Sequence, residues 1–186
     1  MKEDRFQVQR IGEKSRVRYG RLGRHSGENG FKCARCGGFV CTEPIFSGVQ
    51  NRNHCPYCLW SRHLDLYVAG DRLSACRALM QPIGLTIKQT RKKYGPGRGE
   101  LMLIHACTEC NALSVNRIAA DDDSQKVFAV FEGSYHIEGV ILDDLGFYGI
   151  HLLGLGDSLF VRAQLFGNET DPAEICLQGC MMESTR

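Results

Sequence analysis

No stretch of this sequence is long and apolar enough to cross a bilayer, which takes roughly 18 residues. The best candidate, Val140 to Leu155, is broken by Asp143, Asp144 and several glycines. The N-terminus, Met1-Lys2-Glu3-Asp4-Arg5, lacks the apolar run of a secretory signal, and Glu3, Asp4 and Glu13 argue against a transit peptide. There is no GxSxG elbow, no P-loop and no dinucleotide fingerprint. Gly95 to Gly99 is glycine-rich but lacks the GK[ST] of a P-loop, and Gly154-Leu155-Gly156-Asp157 reads as a turn. These absences set aside secreted, membrane-spanning and common nucleotide-binding classes. The expectation is a cytoplasmic protein with no membrane partner and no catalytic residues.

What is present is cysteine and glycine, ten and 21 of them in 186 residues. Apolar residues at 43% and charged residues at 24% indicate a globular chain rather than a disordered one. The glycines suggest many tight turns and short strands. In a reducing compartment paired cysteines read as metal ligands rather than disulfides. Three pairs have CxxC spacing: Cys33/Cys36, Cys55/Cys58 and Cys107/Cys110. Cys176/Cys180 has a wider gap and reads as core cysteine, and Cys41 and Cys76 stand alone.

Charge is divided unevenly. The first hundred residues carry a net +11 and the remainder −9, within a total of +2. Such asymmetry points to an anionic partner for the first half.

Residues 1–30 read as a flexible basic arm with eight Lys/Arg, among them Arg16, Arg18, Arg21 and Arg24. Order is expected from Phe31. Phe31-Lys32-Cys33 and Phe39-Val40-Cys41 read as strands entering and leaving a metal knuckle, and Arg72 to Met80 as a short helix stopped by Pro82. Ile83, Leu85 and Ile87 alternate with smaller or polar residues, as do Leu101, Leu103 and His105. That periodicity predicts a hairpin around the turn at Gly95–Gly99. Asn111 to Ile118 reads as an exit strand, and Asp121-Asp122-Asp123-Ser124 as a polar, solvated break. Beyond it, Val127–Phe131, Tyr135–Leu142, Phe147–Leu153 and Leu159–Phe166 read as glycine-punctuated strands. The fold class expected is α+β, mainly β. It comprises a zinc-ribbon-like domain over 31–123 with short strands and one short helix, then a β-rich acidic extension over 124–186.

Zinc takes four ligands tetrahedrally, and thiolates bind it well. Cys36 and Cys55 are separated by 18 residues, the spacing of a zinc ribbon, so Cys33, Cys36, Cys55 and Cys58 are expected to share one Zn2+. A redox CxxC would need a βαβ pattern, which is not evident. Cys107 and Cys110 need two more ligands for a second zinc. Cys76 is the leading thiol and His63 the leading imidazole, with His105 another candidate. An interleaved pairing of the first and third CxxC also satisfies the spacing. His54 reads as a histidine hydrogen-bonded locally beside its knuckle.

The second knuckle lies within Arg52-Asn53-His54-Cys55-Pro56, followed by Tyr57-Cys58-Leu59-Trp60-Ser61-Arg62-His63-Leu64-Asp65. Further on come Gly70-Asp71-Arg72, Cys76, Met80-Gln81-Pro82-Ile83, His105-Ala106-Cys107-Thr108-Glu109-Cys110 and Asn116-Arg117-Ile118-Ala119. Over about residues 31–123 this resembles the RNHCP domain family, named for the pentapeptide. The resemblance implies a small zinc-containing domain with Cys33, Cys36, Cys55, Cys58, Cys107 and Cys110 as its framework, and brings no established reaction. Asn111 departs from it, since a glycine is expected there, and an altered third turn is expected in consequence.

The leading functional reading is RNA binding, as a ribosome-associated component contacting ribosomal RNA. Lys88 to Gly99, with Arg91, Lys92, Lys93, Tyr94 and Arg98, forms a second basic segment at the hairpin tip, where cations can meet phosphates and the tyrosine ring a base. The alternative is a protein-interaction or assembly module docking partners through the C-terminal extension. A zinc-dependent hydrolase ranks third, because four thiolates saturate zinc. It would need an open second site with Glu109 or Asp121–Asp123 as base.

Overall fold

The structure, a computed structural model, describes residues 30–88, 99–137 and 139–167. The basic arm up to residue 29, the hairpin tip at 89–98 and the C-terminal residues from 168, with Cys176 and Cys180, lie outside them. So do Arg16, Arg18, Arg21, Arg24, Arg91, Lys92, Lys93, Tyr94 and Arg98.

Two small antiparallel sheets organise the first part. Strands β1 (Gly30–Lys32) and β2 (Phe39–Cys41) pair across the first knuckle, with Phe31 opposite Val40. A one-turn helix, α1 (Pro44–Ser47), follows. Four strands then form the main sheet in the order β3-β4-β5-β6: β3 (Ser61–Arg62), β4 (Leu79–Lys88), β5 (Glu100–Cys107) and β6 (Leu113–Arg117). The expected hairpin is the β4–β5 pair, with Leu85 opposite Leu103 and Lys88 opposite Glu100, and the expected exit strand is β6. Pro82 lies beyond the two residues that β3 pairs, and the β4 register slips between Pro82 and Gly84. Gly84 sits where Leu152 and Ser134 close over the strand, and a Cβ there would strike the Leu152 side chain.

The helix expected at Arg72 to Met80 does not form. The Asp71 carboxylate accepts the amides of Leu66, Tyr67, Val68 and Leu73, which binds the segment into a compact loop. Arg72 and Arg77 both have positive φ, which no α-helix tolerates. Leu79 and Met80 already belong to β4.

The α+β class is as expected, but the described part of the extension after residue 123 is helical where strands were expected. It holds α2 (Ser124–Gly133), α3 (Val140–Phe147) and α4 (Ser158–Phe166), with single 3-10 turns at Ser134–His136 and Leu155–Asp157. Apolar runs such as Val127–Phe131 do not discriminate between the two periods over five residues. The cap decides: Asp123 is the N-cap of α2, and its carboxylate accepts the amides of Gln125 and Lys126. Val127 and Phe131 then fall on one face, and both are buried. One core takes in Leu59, Leu85, Leu101 and Leu103 from the first part with Val127, Phe128, Phe131, Leu153 and Val161 from the second. The packing is therefore continuous across Asp123. No helix among the described residues is long and apolar enough to cross a membrane.

Candidate metal centres

Each CxxC turn has the same backbone wiring. The first cysteine's amide donates to the carbonyl five residues on: Cys33 to Gly38, Cys55 to Trp60 and Cys107 to Ala112, at 2.8, 3.0 and 2.9 Å. The amide four residues on donates back to that cysteine's carbonyl, from Gly37, Leu59 and Asn111. That fourth residue is left-handed in all three, with φ of 75°, 61° and 58°. The third turn is thus unaltered despite Asn111, because asparagine tolerates the left-handed region. Leu59 is the costly member, a buried leucine held there by the core around it.

A fourth turn repeats the pattern with its loop opened. His63 donates its amide to Ala78 O at 2.9 Å, and Arg77, at φ 53°, donates to His63 O at 3.1 Å. His63 thus occupies the first-ligand position, and Cys76 the second, with residues 64–75 in place of the usual two.

Four turns make two quartets. Cys33, Cys36, Cys55 and Cys58 converge in one, and His63, Cys76, Cys107 and Cys110 in the other, with all ligand atoms of each within 4.8 Å of one another. Sulfur–sulfur separations are 3.6 Å for Cys33–Cys58 and for Cys36–Cys55, and 3.7 Å for Cys76–Cys107; His63 Nδ1 lies 3.3 Å from Cys110 Sγ. A tetrahedron with Zn–S of about 2.3 Å has S–S edges of about 3.8 Å, and with Zn–N of about 2.0 Å its S–N edge is about 3.5 Å. Both donor sets fit zinc. The interleaved pairing is not what forms, and His105 is no ligand. Each quartet supplies four protein donors, so a bound zinc would cross-link loops and leave no coordination position for substrate.

The turns also prepare the thiols. Burial pushes Cys33 up, but the amides of Cys36 and Arg35 and the neighbouring thiols of Cys58 and Cys36 bring it down to about 7. Cys107 is likewise raised by burial yet held at about 7 by the amides of Cys110 and Glu109 and the thiols of Cys110 and Cys76. Burial raises Cys55 and Cys58. The amides of the turns thus favour the thiolate at Cys33 and Cys107, the form that binds metal.

Behind the first quartet lies a buried polar network that sequence reasoning missed. Arg52, with a fully buried side chain, donates Nη2 to Asp122 Oδ1 at 3.0 Å and Nη1 to Asp121 Oδ2 at 2.7 Å. His54 Nδ1 lies 3.4 Å from Oδ1 of its neighbour Asn53, the local contact expected, and its Nε2 lies 2.8 Å from Asp122 Oδ2, a partner distant in sequence. Asn53 donates to Asn116 Oδ1 at 2.6 Å, and Asn116 in turn reaches His105 Nδ1 at 2.9 Å. His105 Nε2 donates to Leu59 O at 2.7 Å. Asp122 is buried, so the aspartate run is an anchor rather than a solvated break.

The profile of the RNHCP domain matches residues 28–128, more than half of the chain. This chain belongs to the RNHCP domain family. In it the name-giving residues divide their work: Cys55 is one of the four donors of the first quartet, Arg52, Asn53 and His54 hold the network, and the Pro56 carbonyl accepts the Asp123 amide at 3.3 Å. The RNHCP match ends inside α2, whose Val127 and Phe128 are buried in the shared core. No curated protein and no solved structure matches the chain.

Proposed function

We propose that this RNHCP protein is a zinc-stabilised RNA-binding component, associated with the ribosome in the cytoplasm. The observation that supports it is the net charge of +11 on the first hundred residues, concentrated in the arm and at the tip of the β4–β5 hairpin. In that hairpin β4 and β5 pair out to Lys88 and Glu100, two residues beyond the last β6 pairing at Met102. Ligand sets rich in thiolate suit a reducing compartment. Phosphate contacts by Lys and Arg give affinity that falls steeply with salt. Filter binding of the intact, zinc-loaded chain to ribosomal RNA at rising salt tests this. Salt-sensitive retention supports the reading, and its absence with residues 1–29 intact sinks it.

A protein-assembly role is the second reading. Val140, Phe147, Tyr148 and Leu155 leave large apolar side chains exposed on the helical part. A stoichiometric protein partner that survives nuclease treatment would favour it.

A further inference from the structure

The arm and hairpin tip explain attraction to phosphate, and the one ring the tip offers to a base, Tyr94, lies outside the described residues. A second cationic surface exists among the described residues, where the first knuckle meets β3. The Arg35 guanidinium carbon lies 4.8 Å from the centre of the Trp60 ring, and Trp60 is only partly buried. Lys32, Trp60, Arg62 and Leu79 come together beside this pair around a cleft of only about 20 Å³, so a base would lie on the surface rather than in a pocket. Lys32, Arg35, Arg62 and Arg77 are all exposed, and Arg62 is fixed by donating Nη2 to Arg77 O at 2.9 Å. The carboxylates of Asp65 and Asp71 are engaged within their own loop. Asp65 accepts the amides of Gly70 and Arg72, and Asp71 those of Leu66, Tyr67, Val68 and Leu73.

Two of these features come directly from the metal turns. Arg35 is inside the first CxxC, and Trp60 is the residue whose carbonyl closes the second, so a metal-held quartet fixes their separation. A layered indole and guanidinium is a stack that a nucleobase extends, and flanking cations hold the phosphates on either side. The geometry points to a single-stranded RNA site here, with a base stacking on the Arg35–Trp60 pair and the backbone lying along Lys32, Arg62 and Arg77. This rests on the RNA-binding reading and adds where a base is held.

Trp60 is the only tryptophan in the chain, so its emission reports on this site alone. The zinc-loaded full chain is titrated with a short oligoadenylate while Trp60 fluorescence and oligonucleotide anisotropy are followed together. The expected result is quenching that saturates with the anisotropy. Arg35→Ala is expected to weaken single-strand binding by about 5- to 100-fold, the range for one stacked base, and duplex RNA binding much less. Lys32→Ala and Arg62→Ala should each lower the salt slope by about 1. Trp60→Phe, which keeps a ring, should bind within a few-fold of wild type. An anisotropy change with unaltered Trp60 emission and no Arg35→Ala effect overturns the stacking site and leaves RNA binding by the arm standing. No binding of any RNA by either readout overturns both.

Discussion

The amide of Arg77 donates to the carbonyl of His63 at 3.1 Å, the same bond that Asn111 makes to Cys107 at 3.2 Å. A histidine and a cysteine thirteen positions apart therefore behave as one knuckle, with His63 where the first thiol would be. Widening a loop from two residues to twelve raises its closure cost by only about 1.5 kcal/mol. A zinc cross-link offsets far more than that. The inserted segment is held at both ends by ligands and internally by Asp65 and Asp71, which makes it a firm excursion from a shared scaffold.

Zinc content tests the split knuckle. The purified chain is expected to carry two zinc ions, read by elemental analysis against protein concentration. Cys33→Ser or Cys55→Ser should leave about one, by removing a donor from the first quartet. His63→Ala should also leave about one, whereas His63→Cys, which completes a four-thiolate set, should keep two. Replacing residues 64–75 by a two-residue turn should keep two as well. One zinc in that shortened protein would show that the loop, and not the turn, positions His63.

Arg52 and Asp122 form the most buried ion pair among the described residues, both side chains being at 0% exposure. Removing one partner strands the other charge in the core, at a cost of about 3–5 kcal/mol. Arg52→Met is expected to lower stability by that amount in urea unfolding at saturating zinc. Asp121→Asn, whose carboxylate is 36% exposed, should cost about 1 kcal/mol or less. Equal losses from the two variants would contradict the assignment of Asp122 as the anchor.

The contrast between these two features explains what could be read in the sequence. Local patterns were legible, namely the CxxC spacing and the alternation in Ile83–Ile87 and Leu101–His105, and donor chemistry singled out Cys76 and His63 as the missing ligands although they lie 31 and 47 positions from Cys107 and Cys110. Long-range pairings without such a chemical signature were not. Arg52 and Asp122 are seventy positions apart, and nothing local distinguishes an anchoring aspartate run from a solvated one. The same run hid the start of α2, because Asp123 reads as a loop residue unless its capping role is considered. The extension was misassigned because short apolar runs fit strand and helix alike; at α2 the Asp123 cap, with packing against β4 and α4, favours the helix.

His105 makes acid a specific stress. It is fully buried, and burial, with some repulsion from His54, lowers its pKa to about 3 against the opposing pull of the Leu59 carbonyl. Its ordinary value is about 6.5. Below that value the unfolded chain takes up a proton that the folded chain refuses, so stability falls as pH drops from about 6.5 towards 3. For this group the slope is up to about 1.4 kcal/mol per pH unit. Losing thiolate ligands to protons destabilises in the same direction, so wild type alone does not isolate the effect. His105→Gln keeps the ligands and removes the titration. Its stability, followed by urea midpoints between pH 7 and pH 5, should fall less steeply than that of the wild type. Parallel slopes would rule His105 out as the source.

The fourth residue of each turn gives the most discriminating backbone test. Gly37, Leu59, Arg77 and Asn111 all sit at positive φ, yet only the first is glycine. Asn111 is exposed, so backbone preference dominates its substitution. Asn111→Gly is expected to be neutral or to stabilise by a few tenths of a kcal/mol, and Asn111→Val to destabilise by about 1–3 kcal/mol, since β-branched side chains fit that region worst. Zinc affinity at the second quartet should follow the same order, because Asn111 N anchors the turn that holds Cys107 and Cys110. Leu59 should behave oppositely. Leu59→Gly relieves the same strain but empties a core position that is 1% exposed, and lost packing of a leucine costs about 2–5 kcal/mol. The net effect is therefore destabilising, although the backbone gains freedom. If thermal unfolding of the zinc-loaded protein showed Leu59→Gly to be stabilising, strain rather than packing would govern the second turn. The shared geometry of the four turns would then be imposed by the metal and not by the core.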